Sequence, residues 1–164
     1  MTLKGYVQSH QVDYFLGSGM STPPVPNIRY AGVSGPNPGP VTIQAETAAL
    51  AGGAVVESNR AGFNGTGFVN FPATGGSAQM QSVNGGAGGV RTLRIRFANG
   101  GATARTGRLR INGASQGITF GTTGGWTNWA TLDVAVTLTS GSSNTLRFES
   151  SGQDLANLDE VSIQ

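Results

Sequence analysis

Between Val41 and Ile163 the chain repeatedly switches from apolar to polar one position at a time. Leu93, Ile95 and Phe97 alternate with Arg94 and Arg96, and Leu109 and Ile111 with Arg108 and Arg110. Leu132, Val134, Val136 and Leu138 alternate with Thr131, Asp133, Ala135 and Thr137, and Leu146 and Phe148 with Arg147 and Glu149. Val41, Ile43 and Ala45 face one way, Thr42, Gln44 and Glu46 the other, and Val161 and Ile163 close the series. A period of two belongs to strands that bury one face and wet the other. Asn99-Gly100, Asn112-Gly113 and Ser140-Gly141 are turn signals between such runs. No run keeps a 3.6-residue period, so helices are not expected. The pattern predicts an all-β, two-sheet sandwich over residues 41–164, long enough to bury its own core.

The character changes before residue 41. Residues 21–40 hold six of the seven prolines, and X-Pro positions favour extended backbone and interrupt sheets. Residues 1–20 carry only a small apolar group, Val12, Tyr14, Phe15 and Leu16, too little for a core. The expected organisation is an extended N-terminal arm or linker, 1–40, followed by the sandwich, 41–164. Met1–Tyr6 lacks a basic region followed by an apolar run, so it does not read as a secretory signal. No run of about 18 apolar residues occurs, and no membrane span is expected.

Several chemistries are excluded by residue type. With no cysteine there is no disulfide, thiolate metal site or Cys nucleophile. One histidine, His10, removes most Ser-His-Asp and multi-histidine metal arrangements. The formal net charge is only +2, too small for nucleic-acid binding by phosphate neutralisation, so no nucleic-acid partner is expected. The arginines at 94, 96, 108 and 110 read as a solvated sheet face, as an Arg-rich subunit contact, or as a strip for an anionic polysaccharide. The carboxylates Glu57, Asp133, Glu149 and Asp154 are scattered, and none is placed for general acid or base work. The Gly-rich segments 75–76 and 85–89 lack the lysine and helix of a phosphate loop. The chain is not expected to be an enzyme.

The remaining candidates are aromatic and acidic. Trp126 follows Gly124 and Gly125 in what should be a loop, where an indole can offer its face to a sugar ring. Trp129 stands three residues before the Leu132 strand and reads either as a ligand contact or as a cap on the sandwich end. Phe63 lies among Gly62, Gly65 and Gly67, while Phe68 and Phe71 flank a strand and should be core. Gln44 and Glu46 share one strand face, and Asp159 lies near the C-terminus. If the first and last strands of the domain are neighbours, these three converge. They are then either hard oxygen ligands suited to calcium or solvated polar side chains.

In chain order the pieces are Ile43-Gln44-Ala45-Glu46, GF-NGTGFVNF, LRIRFANG, R-x-R-I-N-G, GGWTNW, G-x-x-N-T-L-R-F and a closing N-L-D-E-V. This series resembles the carbohydrate-binding modules of families 6 and 35 over about residues 41–164. The resemblance implies a jelly-roll β-sandwich of two antiparallel sheets, with structural calcium and glycan recognition by loops at one end. It matches Glu46 and Asp159, with Gln44 as a weaker third, to metal-ligand positions. It matches Phe63 and Trp126 to facing aromatics of the cleft, and Asn157 to the residue that hydrogen-bonds sugar hydroxyls. The chain departs from the pattern with Phe63 for the usual tyrosine, Gln44 where an acid is common, and Glu160 where an aromatic often follows Asp159. The expected function is non-catalytic binding of a polysaccharide or other glycan, extracellularly or at a cell or virion surface. The rival expectation is a structural subunit of a filament, capsid or appendage that self-assembles through residues 1–40.

Overall fold

A computed structural model describes residues 40–164, so the expected arm, His10 and self-assembly through residues 1–40 lie outside the described residues except for Pro40. Eleven strands follow in order: β1 Val41–Gln44, β2 Ala49–Ala51, β3 Val55–Glu57, β4 Phe68–Asn70, β5 Ser77–Val83, β6 Gly89–Ala98, β7 Arg105–Ile111, β8 Ala114–Phe120, β9 Ala130–Leu138, β10 Asn144–Ser150 and β11 Asn157–Ile163. One sheet runs β3-β4-β11-β6-β9, with β1 also paired to β11, and the other runs β2-β5-β10-β7-β8. All pairs are antiparallel. The expected two-sheet sandwich is therefore the fold.

The alternating runs set which side chains point inward. Leu93, Ile95 and Phe97 of β6 and Val161 and Ile163 of β11 face Leu109 and Ile111 of β7 and Leu146 and Phe148 of β10 in one buried core. Phe97 and Phe120 meet with ring centroids 5.0 Å apart. Phe68 and Phe71 are buried, as their strand-flanking positions predict. The Asn112-Gly113 signal forms the two-residue turn between β7 and β8. Both residues have positive φ, 50° and 87°, the conformation that matches strand twist in a tight hairpin.

The first strand is shorter than its alternation suggests. A single 3-10 turn, Ala45–Thr47, ends β1, so Gln44 lies on the strand and Glu46 on the turn. The Thr47 hydroxyl donates to the Gln44 carbonyl at 2.7 Å, and the Ala48 N–H to the Ala45 carbonyl at 3.0 Å. The turn leaves Ala45 fully buried and Glu46 half-buried. The neighbouring first and last strands do occur: β1 pairs with β11 from Val41↔Ile163 to Gln44↔Glu160.

Candidate functional site

At one end of the sandwich Glu57, Arg60, Asn70, Trp126, Asp154 and Asn157 line a shallow cleft of about 200 Å³. The residues come from strand ends and loops that the six-stranded sheet gathers: Glu57 ends β3, Asn70 ends β4 and Asn157 begins β11. Glu57 is steered from both sides, accepting from Asn70 Nδ2 and Asn59 Nδ2, each at 3.2 Å.

Trp126 is placed by its loop and by Arg105. Thr123 ties the loop to Asn99 through its N–H, which donates to the Asn99 carbonyl at 2.8 Å, and its hydroxyl, which accepts from the Asn99 N–H at 3.1 Å. Gly100 lies so close that a Cβ there would stand 2.5 Å from Trp126 N and 2.6 Å from Cγ. The Arg105 guanidinium sits 4.7 Å from the indole centroid, pairs with Asp154 and donates to the Leu155 carbonyl at 3.2 Å. Arg105 thus links two cleft residues, covering the indole with a cation and holding the Asp154 carboxylate.

Phe63 and Trp129 are not among the residues lining this cleft; they belong to a second aromatic cluster. Phe63 and Trp129 both pack on Phe68, at 5.9 and 5.5 Å between centroids. The Trp129 Nε1–H donates to the Ala61 carbonyl at 2.9 Å, and Arg96 lies 5.3 Å from the Trp129 ring. These contacts grip the loop after Arg60. Arg96 donates to the Gly62 carbonyl at 2.7 Å, the Asn64 N–H donates to Asp159 at 3.0 Å, and the Thr66 N–H donates to Glu46 Oε1 at 2.7 Å.

Two of the three expected metal ligands meet beside that loop. A Cβ at Gly65 would stand 2.3 Å from Glu46 Oε1 and 2.7 Å from Gln44 Oε1, so the glycine leaves a cradle between two oxygens. Gln44 Oε1 and Glu46 Oε2 are both buried and accept no hydrogen bond. Buried acceptors without donors are costly, and a hard cation is what such oxygens suit. Asp159 is engaged otherwise: fully buried, it pairs with Arg96 and accepts from the Asn64 N–H. Burial pushes its carboxyl above the ordinary value, against the Arg96 and Asn64 hydrogen bonds that pull it down. Glu160 bonds Gln44, accepting from Nε2 at 2.8 Å. Among the described residues no three His, Cys, Asp or Glu side chains cluster as a metal site, and the cradle rests on one carboxylate and one amide.

The four arginines expected on one solvated sheet face, subunit contact or strip stand on different sheets. Arg94 and Arg96 belong to β6, Arg108 and Arg110 to β7. Arg94 forks onto Asp133 with both bonds at 2.8 Å, which holds the Asp133 carboxyl below its ordinary value. A roomier groove of about 360 Å³ at the β7–β8 turn is lined by Ile111, Asn112, Ala114, Ser115, Gln116 and Thr137, with no aromatic or charged group.

Sequence reasoning did not single out Arg60 or Asn70, and it set Glu57 and Asp154 aside as scattered. They meet only because β3, β4 and β11 are neighbours, and that pairing has no local sequence mark.

A family model described as CBM13-like, the CBM13 domain of alpha-galactosidase, matches residues 77–162. The chain is 38% identical over 133 residues to an exo-beta-D-glucosaminidase of Amycolatopsis orientalis, covering 79% of this chain and 13% of that protein. It spans less than a fifth of the curated relatives it matches first, 13%, 18% and 18% of their lengths. Among solved structures, a family 35 carbohydrate-binding module from Clostridium thermocellum superposes with a TM-score of 0.71 at 30% identity, covering 76% of this chain and 96% of that one. A family 35 module from Paenibacillus barcinonensis gives 0.71 at 30% identity over 76% and 98%. The whole-module likeness is to family 35, which narrows the resemblance to families 6 and 35 together. An alternating two-sheet sandwich that covers nearly all of two such modules, with a cleft at its end, belongs with them: the chain is a member of the carbohydrate-binding modules.

Proposed function

We propose that the chain binds a glycan without acting on it, in the cleft at the sandwich end. The observation that carries this reading is Trp126, a single indole in a cleft whose other lining side chains are all polar. An apolar wall beside amides, two carboxylates and a guanidinium suits a sugar, which has C–H faces and a rim of hydroxyls. Asn157 and Asn70 supply amides for those hydroxyls, and Arg60 adds a cation. Phe63 and Trp129 act from outside the cleft lining, by fixing the loop that begins at Arg60. Both cleft carboxylates are engaged by the protein itself, Glu57 by two amides and Asp154 by Arg105. A cleft this shallow supports modest affinity, roughly micromolar to millimolar.

Calcium fits the Gln44–Glu46 cradle in this reading. Gln44 Oε1 and Glu46 would hold it, and Asp159 would join only by releasing Arg96. The ion would supply a structural cross-link between the start of the domain and the 62–66 loop. Relatives that are mostly longer enzymes favour a module that works within a longer protein, outside the cell or at its surface.

A glycan array probed in calcium buffer tests the proposal, with native chain beside Trp126→Ala. Binding by the native chain that disappears in the variant is the expected result. Binding that survives Trp126→Ala unchanged refutes the cleft, and no binding by either protein refutes the function.

A further inference from the structure

The positive charge of residues 40–164 is concentrated on the outer face of the five-stranded sheet. Residues 40–164 carry eight arginines against seven carboxylates, a net charge of +1. Leu109 and Ile111 on β7, and Leu146 and Phe148 on β10, point into the core. The pleat therefore turns Arg108, Arg110, Arg147 and Glu149 outward together. Three cations and one anion on this face exceed the net charge of the whole described segment.

The register makes this face unusual. Arg110 stands directly opposite Arg147, and Arg108 directly opposite Glu149. Like charges in opposed strand positions are destabilising unless something neutral or negative serves them both. Glu149 does so in part. It takes Arg110 Nε on Oε2 and lies against Arg147 Nε on Oε1, each at 2.8 Å. The second contact lacks hydrogen-bond geometry, which leaves the buried Arg147 Nε without an acceptor. Arg108 forms no ion pair among the described residues, although a carboxylate is its register partner. On the other sheet, by contrast, Arg94 and Arg96 are each closed onto an aspartate. The arginine face also has low neighbours. Ser115 and Gly117 on β8 lie opposite Arg110 and Arg108, and a Cβ at Gly117 would meet nothing within 4 Å.

We infer that this face is a second glycan-binding surface, for a sulfated polysaccharide, separate from the cleft at Trp126. Opposed strand residues stand about 5 Å apart at Cα, so two guanidinium forks share one small space. A sulfate ester brings three terminal oxygens to that space and can serve both forks, while a carboxylate's two oxygens match one. A polymer repeating this charge meets Arg110 and Arg147 with one group and Arg108 with the next.

The test is fluorescence anisotropy with fluorescein-labelled dextran sulfate, and with labelled neutral dextran as its control. The expected result is saturable binding of the sulfated probe alone, loosened by salt because exposed charges are screened. Arg108→Gln with Arg147→Gln should weaken it tenfold or more. Arg108→Gln alone, which breaks no ion pair, should weaken it severalfold in a protein with an unchanged melt. Trp126→Ala should leave it within twofold, so failure of the cleft proposal and of this one remain separable. The inference is overturned if the arginine variants bind as the native chain does, if Trp126→Ala abolishes binding, or if neutral dextran binds equally. Equal displacement by polygalacturonate or by single-stranded DNA also overturns it.

Discussion

Glu46→Gln is expected to change the sign of its effect with calcium. In chelator, Glu46 Oε2 and Gln44 Oε1 are two buried acceptors without a donor beside Gly65. An unsatisfied buried polar group costs about 1–3 kcal/mol. A glutamine at 46 keeps an oxygen for the Thr66 N–H and replaces the other with an NH2. That donor removes one orphan and can serve its neighbour, so the variant should be more stable than native by about 1 kcal/mol. In calcium at a hundred times its dissociation constant, a site present only in the folded state stabilises the native chain by about 2.7 kcal/mol. At about 4 °C per kcal/mol for a domain of this size, the native melt should rise by about 10 °C and the variant's hardly at all. The assay is a thermal melt of both proteins in chelator and in calcium, followed by tryptophan fluorescence. The reasoning is refuted if calcium leaves the native melt unmoved, or if the variant lies below native by the same margin in both buffers.

Other perturbations separate the parts of the molecule. Gly100→Ala should push the indole of Trp126 out of place, since the added Cβ would fall 2.5 Å from its backbone nitrogen; the expected loss is tenfold or more in glycan affinity by calorimetry. Asn144→Ala should cost about 3 kcal/mol in urea unfolding, because the buried amide serves the Val83, Thr139 and Gly141 carbonyls and accepts from the Thr139 N–H. Asp133→Asn should lower the melt slightly at neutral pH. Its folded pKa is depressed by Arg94, so this contribution is present above the ordinary aspartate value and is lost as pH falls through the lowered one. Native and variant melts should therefore converge in acid, and a gap that persists there would contradict the assignment.

The sandwich was legible because burial of one sheet face writes itself into alternate residues. Leu93, Ile95 and Phe97, Leu109 and Ile111, and Leu146 and Phe148 all fall on inward positions of β6, β7 and β10. Strand β5 was not, since Ser77-Ala78-Gln79-Met80 breaks its alternation with a buried serine beside a buried alanine. The end of β1 was misplaced because Gln44 and Glu46 have the spacing of one strand face, while the 3-10 turn at Ala45–Thr47, closed by the Thr47 hydroxyl and the Ala48 N–H, takes Glu46 off the strand. Trp126 and Asn157 fall in one cleft, as a loop indole and a strand-start amide. The separation of Phe63 and Trp129 from that cleft depends on Phe68, a core residue whose reach into the loop cluster no spacing rule conveys. Arg94, Arg96, Arg108 and Arg110 have alike local patterns that suggest a shared face, while sheet membership depends on pairing across the whole domain.

The pairing of β1 with β11 has a mechanical consequence. Val41 and Ile163 are opposed at one end of that ladder, and Gln44 and Glu160 at the other. Tension applied through the two ends of the domain would load the Val41–Ile163 pair first and peel the ladder one pair at a time, at low force. The same load would reach Gln44 last, so the oxygen cradle would keep its shape until the strand in front of it had come away.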